Sequence, residues 1–272
     1  MPAPTAKKPP TFHPFTGRDL PWLLDTQAKA RGDRPYLIWE SFEAPARTWS
    51  YAEFAEETRA YAAGLTESGV KAGEFVLLHM ENCPEFLFVW HACARLGAIV
   101  VTTNTHSTAD ELCYFARRCG AVVAITQPKF ASLLQGLDHK FRWVAAADTN
   151  SHKAPEAPLP SGILPLATLR RDPRAAPARP AVPMAPNSAQ FTSGTTSRPK
   201  GVIWTHANAL WAARLMASRL ELTQNDRAIV YLPLHHTNAL AYAFLSTLWA
   251  GGSAVLTPRF SASRFWDVAV RH

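Results

Sequence analysis

Short apolar runs alternate with longer amphipathic stretches along most of the chain. The first stretch, Leu20–Arg31, has helical spacing and ends at a Gly-Asp-Arg-Pro breaker, and strand-like runs follow at 36–39 and 47–49. A second helix is predicted over 51–65, because Ser50 precedes it as an N-cap candidate. The chain therefore opens with a helix, two short strands and another helix.

From residue 75 onward, strands and helices alternate regularly. The predicted helices are 84–96, 109–119 and 129–137, and the predicted strands are 75–78, 99–101, 122–125 and 142–147. Parallel strands need long crossover connections, which are usually helices. The pattern therefore predicts an α/β fold with mainly parallel sheets covered by helices.

A shift in composition interrupts this alternation. Nine of the 37 residues from 151 to 187 are proline, and four arginines cluster there, which predicts an extended surface connection. We therefore expect a flexible amino-terminal arm (1–18), an α/β region (19–150), the Pro/Arg-rich connection (151–187) and further α/β elements (188–272). The last helical pattern, 262–272, has no stop residue, which predicts a truncated chain.

Composition excludes several classes of protein. With 47% hydrophobic and 18% charged residues, 272 residues suffice for a sizeable core. The four cysteines are never spaced as C-x-x-C, which suits neither a disulfide framework nor a zinc site. The net charge of +7 comes from residues 151–272, where 13 Lys or Arg face 5 Asp or Glu. These arginines are scattered without an aromatic ladder, so nucleic-acid binding is not predicted.

No targeting or membrane segment is predicted. Pro and charged residues interrupt the amino terminus before any apolar run of signal-peptide length, so the protein is expected to be cytoplasmic. The uncharged stretch 238–258 approaches membrane-spanning length, but a Gly251-Gly252 pair breaks it. We expect a buried helix, a turn and a buried strand there rather than stable membrane insertion.

Candidate chemistry is concentrated in residues 192–201, which read TSGTTSRPKG between two strand-like runs. Hydroxyl groups, two glycines and one lysine supply the donors and the positive charge that surround phosphate oxygens. The P-loop pattern of nucleotide triphosphatases does not fit, because five residues separate Gly194 from Lys200 and Gly201 follows the lysine. The simpler alternative is a Ser/Thr-rich hairpin turn without a ligand.

The segment 191–201, followed by Thr-His-Ala-Asn at 205–208, resembles the phosphate-binding signature of the adenylate-forming enzymes, which include the acyl-CoA synthetases. Residues 81–87 and 94–99 resemble an earlier segment of that family, and 232–239 resemble its next motif. Three positions depart from the usual pattern: Ser197 replaces Gly, Thr102 replaces Pro, and His235 replaces an aromatic residue. His236 aligns with the family histidine. Because adjacent histidines usually point apart, we do not expect both to bind a metal.

The resemblance implies the αβαβα-type amino-terminal region of an enzyme that is about twice as long. Its reaction would join a carboxylic acid to ATP as an acyl-adenylate and pass the acyl group to a thiol, commonly that of coenzyme A. The expected phosphate-binding residues are Thr192, Ser193, Gly194, Thr195, Thr196 and Lys200. The resemblance places Thr196 near Mg²⁺.

The expected catalytic residues are His236, Thr196 and Lys200. His236 and Asn238 are expected at the substrate, and Ala239 and Tyr242 would line the same pocket. The alternative is a catalytically incompetent nucleotide-binding or interaction module. The acid substrate and the oligomeric state are left open.

Overall fold

The protein is built on two β-sheets. Its structure is a computed structural model that describes residues 13–149, 151, 153–155, 157–192 and 198–272. Within these residues the strands are β1 (Pro35–Trp39), β2 (Arg47–Ser50), β3 (Phe75–His79), β4 (Ile99–Thr102), β5 (Val123–Thr126), β6 (Val144–Ala146), β7 (Ile163–Pro165), β8 (Pro186–Thr192), β9 (Lys200–Thr205), β10 (Arg227–Val230) and β11 (Ser253–Leu256).

The helices flank these sheets. They are α1 (Leu20–Arg31), α2 (Tyr51–Glu67), α3 (Pro84–Leu96), α4 (Ala109–Cys119), α5 (Pro128–Gln135), α6 (His206–Arg219), α7 (Ser246–Ala250) and α8 (Phe265–Arg271). Ser50 and Thr108 cap α2 and α4 through capping boxes with Glu53 and Glu111. The Ser50 cap forms where the sequence predicted it, because capping depends on residues only three positions apart.

The larger sheet has the strand order β7-β6-β5-β3-β4-β8-β9. All of its neighbouring strands are parallel except β8 and β9, which form an antiparallel hairpin. Every residue of β4 and β5 is buried, as expected for strands covered on both faces. The predicted α/β fold is therefore confirmed.

The smaller sheet has the order β10-β11-β1-β2 and joins distant parts of the chain. Leu37 of β1 is in register with Ala254 of β11 in a parallel pair. Both sheets take strands from each side of the Pro/Arg-rich connection. Strands from different predicted regions therefore pair within the same sheets, so these regions do not form separate sheets of their own.

The Pro/Arg-rich connection packs more closely than its composition suggested. It contains β7 and two 3₁₀ turns, Leu166–Leu169 and Pro173–Ala175. Leu166 and Leu169 are buried beside α2, and Arg179 pairs with the buried Asp19 at 3.1 Å. Apolar side chains among the prolines anchor these residues to the core, although most of the described residues of the connection are exposed or half-buried.

Residues 1–12 of the predicted flexible arm lie outside the described residues, and the described part, 13–18, packs on the protein. Phe15 is fully buried, and its ring contacts Trp211 and Trp249 at centroid distances of 5.2 and 6.2 Å. Aromatic contacts of this kind fix the segment before α1 to the body of the protein.

The uncharged stretch 238–258 folds as predicted into helix, turn and strand. A π-helix, Asn238–Leu245, leads into α7, and Gly251 makes the turn with a φ of 80° before the buried β11. Among the described helices, none has the length and apolar character needed to cross a membrane.

Candidate active site

A cleft of about 930 Å³ opens at the carboxyl ends of β4 and β8. Open α/β sheets bind ligands outside the carboxyl ends of their strands, so this is the expected position for a site. The residues after β4, the β8–β9 hairpin and the segment 235–242 after β10 line the cleft. Four residues predicted from the sequence are among them: Thr192, His236, Asn238 and Tyr242.

The hairpin brings two predicted phosphate-binding residues together. Thr192 is the last residue of β8 and pairs with Lys200, the first of β9. Side chains directly opposite each other in an antiparallel pair project from the same face. Both residues are exposed, and Thr192 lines the cleft. Ser193, Gly194, Thr195 and Thr196 lie outside the described residues.

The base of this hairpin is held firmly on α4. Phe191 stacks on Phe115 with a centroid distance of 4.2 Å, and the Tyr114 hydroxyl donates to the Pro199 carbonyl at 3.1 Å. The Arg198 guanidinium lies 5.5 Å from the centroid of the Tyr114 ring. Both ends of the predicted phosphate loop therefore start from fixed positions at the mouth of the cleft.

Two adjacent histidines line the cleft in different environments. His236 is exposed, whereas His235 is only 9% exposed, and their ring centroids are 4.1 Å apart. Burial, followed by the nearby His236, His79 and His106, lowers the pKa of His235 to about 4. His235 is therefore neutral at pH 7. Both residues line the cleft, and their rings lie side by side rather than pointing apart as expected.

Asn82 holds the segment that carries these histidines. Its side-chain amide donates to the carbonyls of Leu232 and Thr257 at 3.0 and 3.1 Å, and its oxygen accepts from the Leu234 N–H at 2.9 Å. The Asn82 side chain is 3% exposed. It joins the end of β3 to the segments after β10 and β11. The motif contained Asn82, but its partners are 150 or more residues away, so sequence reasoning gave it no role.

Part of the cleft wall is polar and buried. Thr102 is in register with Gln190 across β4 and β8, and both line the cleft. The Thr237 hydroxyl donates to Gln190 Oε1 at 3.0 Å. Among the described residues, Thr102 Oγ1, Gln190 Nε2 and His235 Nε2 have no hydrogen-bond partner. Sequence reasoning missed Thr102 and Gln190 as site residues, although both lie near the carboxyl ends of predicted strands.

The π-helix carries the remaining predicted pocket residues. Asn238 and Tyr242 line both the cleft and an adjoining apolar cavity of about 360 Å³, whereas the buried Ala239 faces only that cavity. π-helical segments are rare and occur often at functional sites. The predicted substrate roles of these residues remain predictions.

The described lining of the cleft carries little charge. Glu111 is the acidic side chain among the described lining residues, and it is exposed and engaged in the cap of α4. In the described parts of the chain, no group of three or more His, Cys, Asp or Glu side chains is placed to hold a metal ion. Thr196, the predicted neighbour of Mg²⁺, lies outside those parts.

The family described as AMP-binding enzyme matches residues 24–272, and the chain belongs to this family. The resemblance seen in the sequence motifs is thereby confirmed.

Curated relatives include two crotonobetaine/carnitine–CoA ligases. The enzyme of Citrobacter koseri is 31% identical over 257 residues, and that of Salmonella typhimurium is 31% identical over 255 residues. Each alignment covers 92% of this chain and 48% of the relative. The chain spans about half the length of these relatives.

Solved structures show the same fold. MbtA of Mycobacterium smegmatis superposes with a TM-score of 0.83 at 25% identity, covering 95% of this chain and 47% of MbtA. The inhibitor-bound amino-terminal domain of FACL13 from Mycobacterium tuberculosis gives a TM-score of 0.80 at 25% identity, covering 93% of this chain and 60% of that domain.

Proposed function

We propose that this chain forms the ATP- and carboxylate-binding part of an acyl-CoA synthetase. The observation that carries the proposal is the cleft itself, where the Thr192–Lys200 hairpin and His236 meet at the carboxyl edge of a parallel sheet. Membership of the AMP-binding family and the CoA ligases among the relatives support it.

In the first step, an oxygen of the substrate carboxylate attacks the α-phosphorus of ATP, and the bond to pyrophosphate breaks. Negative charge builds on phosphoryl oxygens, so catalysis depends on donors and cations fixed in advance. Lys200 supplies a positive charge and Thr192 a hydroxyl on the same face of the hairpin. Together with Ser193, Gly194, Thr195 and Thr196, they would hold the phosphates.

Mg²⁺, when bound, would neutralise charge on the phosphate oxygens, and the family resemblance assigns the Thr196 hydroxyl to its neighbourhood. His236 is exposed in the cleft and can donate to the carboxylate before adenylation and to the acyl carbonyl of the adenylate afterwards. Asn238, the first residue of the π-helix that follows His236, would contact the acyl group. In the second step, a thiol attacks the acyl carbonyl and AMP leaves. Coenzyme A is the proposed thiol donor.

A nucleotide-binding module without turnover is the second candidate. The chain spans about half the length of its curated relatives. Pyrophosphate release with a panel of carboxylic acids separates the two, with the Citrobacter koseri enzyme as positive control. Crotonobetaine and carnitine belong in the panel because the relatives are named for them. Release with any acid supports the synthetase. ATP binding without release supports the module.

The phosphate role of the hairpin is tested by calorimetry with ATP and Mg²⁺. Lys200→Ala should weaken ATP binding about tenfold or more, because a charge-assisted contact to phosphate is worth about 1.5–3 kcal/mol. Lys71→Ala is the matched control and should bind like the unaltered chain, because Lys71 is exposed and precedes β3, at the edge of the sheet opposite the cleft. Unchanged affinity in Lys200→Ala would remove the phosphate role.

A further inference from the structure

We propose that the protein binds the surface of an anionic lipid bilayer through a face formed by the start of α1 and the exposed side of α6. This tryptophan–arginine face consists of Arg18, Trp22, Trp211, Arg214, Leu215 and Arg219. None of these residues lines the cleft, so the inference does not rest on the proposed function.

Each of the two helices contributes a tryptophan with an arginine over its ring. The Arg18 guanidinium lies 5.0 Å from the ring centroid of Trp22. The Arg214 guanidinium lies 5.5 Å from the ring centroid of Trp211. Phe15 joins the two pairs, because its ring lies 5.2 Å from that of Trp211 and its carbonyl accepts from the Arg18 N–H at 2.9 Å. The two pairs therefore belong to one continuous face.

The exposed side of α6 supplies most of the apolar surface. Trp211, Leu215 and Arg219 are spaced four residues apart, so they form a stripe along one side of the helix. Trp211 is 44% exposed and Leu215 is 58% exposed, whereas Ala213 and Ala217 bury the opposite side. Tryptophan is enriched at the level of the lipid headgroups, where its apolar ring and its polar N–H both find partners. A protruding leucine beside it can enter the acyl region of a bilayer.

Basic side chains without acidic partners accompany this apolar stripe. Arg18, Arg214 and Arg219 are exposed, and within the described parts of the chain none of them forms an ion pair. The α6 helix contains neither aspartate nor glutamate, and Glu221, beyond its end, lines a groove with Arg214. The face therefore carries a net positive charge, which complements the negative surface of an anionic bilayer.

A lipid surface fits this face better than a nucleic acid or a second copy of the chain. Single-stranded nucleic acids bind by stacking bases on rings, and the aliphatic Leu215 offers no ring. A second copy on the same face would bring arginines against arginines, and like charges repel. A bilayer instead places phosphates at the guanidinium groups and apolar chains beneath Trp211 and Leu215.

The test measures co-sedimentation of the 272-residue chain with lipid vesicles. Vesicles of phosphatidylcholine alone are compared with vesicles in which about 30% of the lipid is phosphatidylserine. We expect at least tenfold tighter binding to the anionic vesicles, and loss of most of that preference at about 1 M NaCl, which screens charges beyond about 3 Å. Equal binding to both kinds of vesicle, or binding to neither, would overturn the inference.

Charge variants locate the binding on the face. Arg214→Gln/Arg219→Gln removes two of its arginine charges and should weaken binding about 25-fold, because each basic group near an anionic surface strengthens binding about fivefold. Arg118→Gln/Lys140→Gln is the matched control. It removes two exposed charges from segments that pack on the opposite face of the larger sheet, and it should weaken binding far less. Equal weakening in both variants would show that net charge alone is responsible.

An apolar variant tests insertion into the bilayer. Leu215→Ser should weaken vesicle binding about fivefold, because it removes most of an aliphatic side chain that would leave water. Val270→Ser is its control, since Val270 is 87% exposed on α8, which covers the opposite face of the smaller sheet from α1 and α7. Val270→Ser should bind like the unaltered chain. A dimer that Leu215→Ser dissociates would instead assign the face to a second copy and refute the lipid partner.

Thermal unfolding and ATP calorimetry check that each variant is folded. ATP affinity should stay unchanged in all of them, because the altered residues lie outside the cleft lining. Vesicle binding and ATP binding can therefore fail independently. Vesicle binding that survives in a folded Arg214→Gln/Leu215→Ser/Arg219→Gln triple variant would refute the assignment.

Discussion

We predict that the side-chain hydrogen bonds of Asn82 stabilise the packing of the segment that carries the candidate histidines against the end of β3. Asn82→Ala removes three side-chain hydrogen bonds, to Leu232 O, Thr257 O and Leu234 N–H. Leu234 and Thr257 are 1% and 3% exposed, so water cannot easily replace the lost partners. At about 1 kcal/mol for each bond, with an added cost for groups left unpaired, the loss should be about 3–4 kcal/mol.

Urea unfolding followed by circular dichroism measures this loss. With an m-value of about 3 kcal/mol/M, the midpoint should fall by about 1 M at unchanged m. Asn225→Ala is the matched control, because Asn225 is exposed and accepts one long hydrogen bond of 3.5 Å from Arg34. That variant should stay within about 0.5 kcal/mol of the unaltered chain.

Asn82→Asp refines the test. A carboxylate can still accept from Leu234 N–H, but it cannot donate to the two carbonyls and would face them with negative charge. This variant should therefore be no more stable than Asn82→Ala at pH 7. A loss below about 1 kcal/mol in Asn82→Ala, or full recovery in Asn82→Asp, would refute the reasoning.

Two further predictions concern packing and pH. Gly64→Ala should lower the free energy of unfolding by more than about 3 kcal/mol, measured in urea, because a Cβ there would lie 1.4 Å from the Leu169 carbonyl oxygen. Gly136→Ala is the control, because its Cβ would lie 3.3 Å from the nearest atom, the Ser132 carbonyl oxygen. A small effect at Gly64 would contradict the close packing. Burial lowers the pKa of His91 to about 3, whereas the pKa of an unfolded histidine is about 6.5. Between these two pH values the unfolded state binds more protons than the folded state. The free energy of unfolding should therefore fall as the pH drops below about 6.5. His91→Phe should recover about 2 kcal/mol of the stability lost between pH 7.5 and 5, and an unchanged pH profile would show that His91 does not stay neutral.

Local sequence determined the secondary structure and part of the site. Capping depends on residues three apart, and helix and strand periodicities repeat within a few residues, so Ser50, Thr108 and the parallel strands were predictable. The phosphate-loop motif was predictable for the same reason, because its residues are contiguous. His236 was found because it lies in a recognisable short motif.

Tertiary structure alone decided which distant segments meet. The pairing of Leu37 with Ala254, the register of Thr102 with Gln190 and the bonds of Asn82 to the 232–234 segment all join residues far apart in sequence. Many strand pairings are compatible with the same local patterns, and only simultaneous burial of both sheets selects one of them. The polar wall of the cleft is a product of that selection, because Thr102 and Gln190 become neighbours only when β4 pairs with β8.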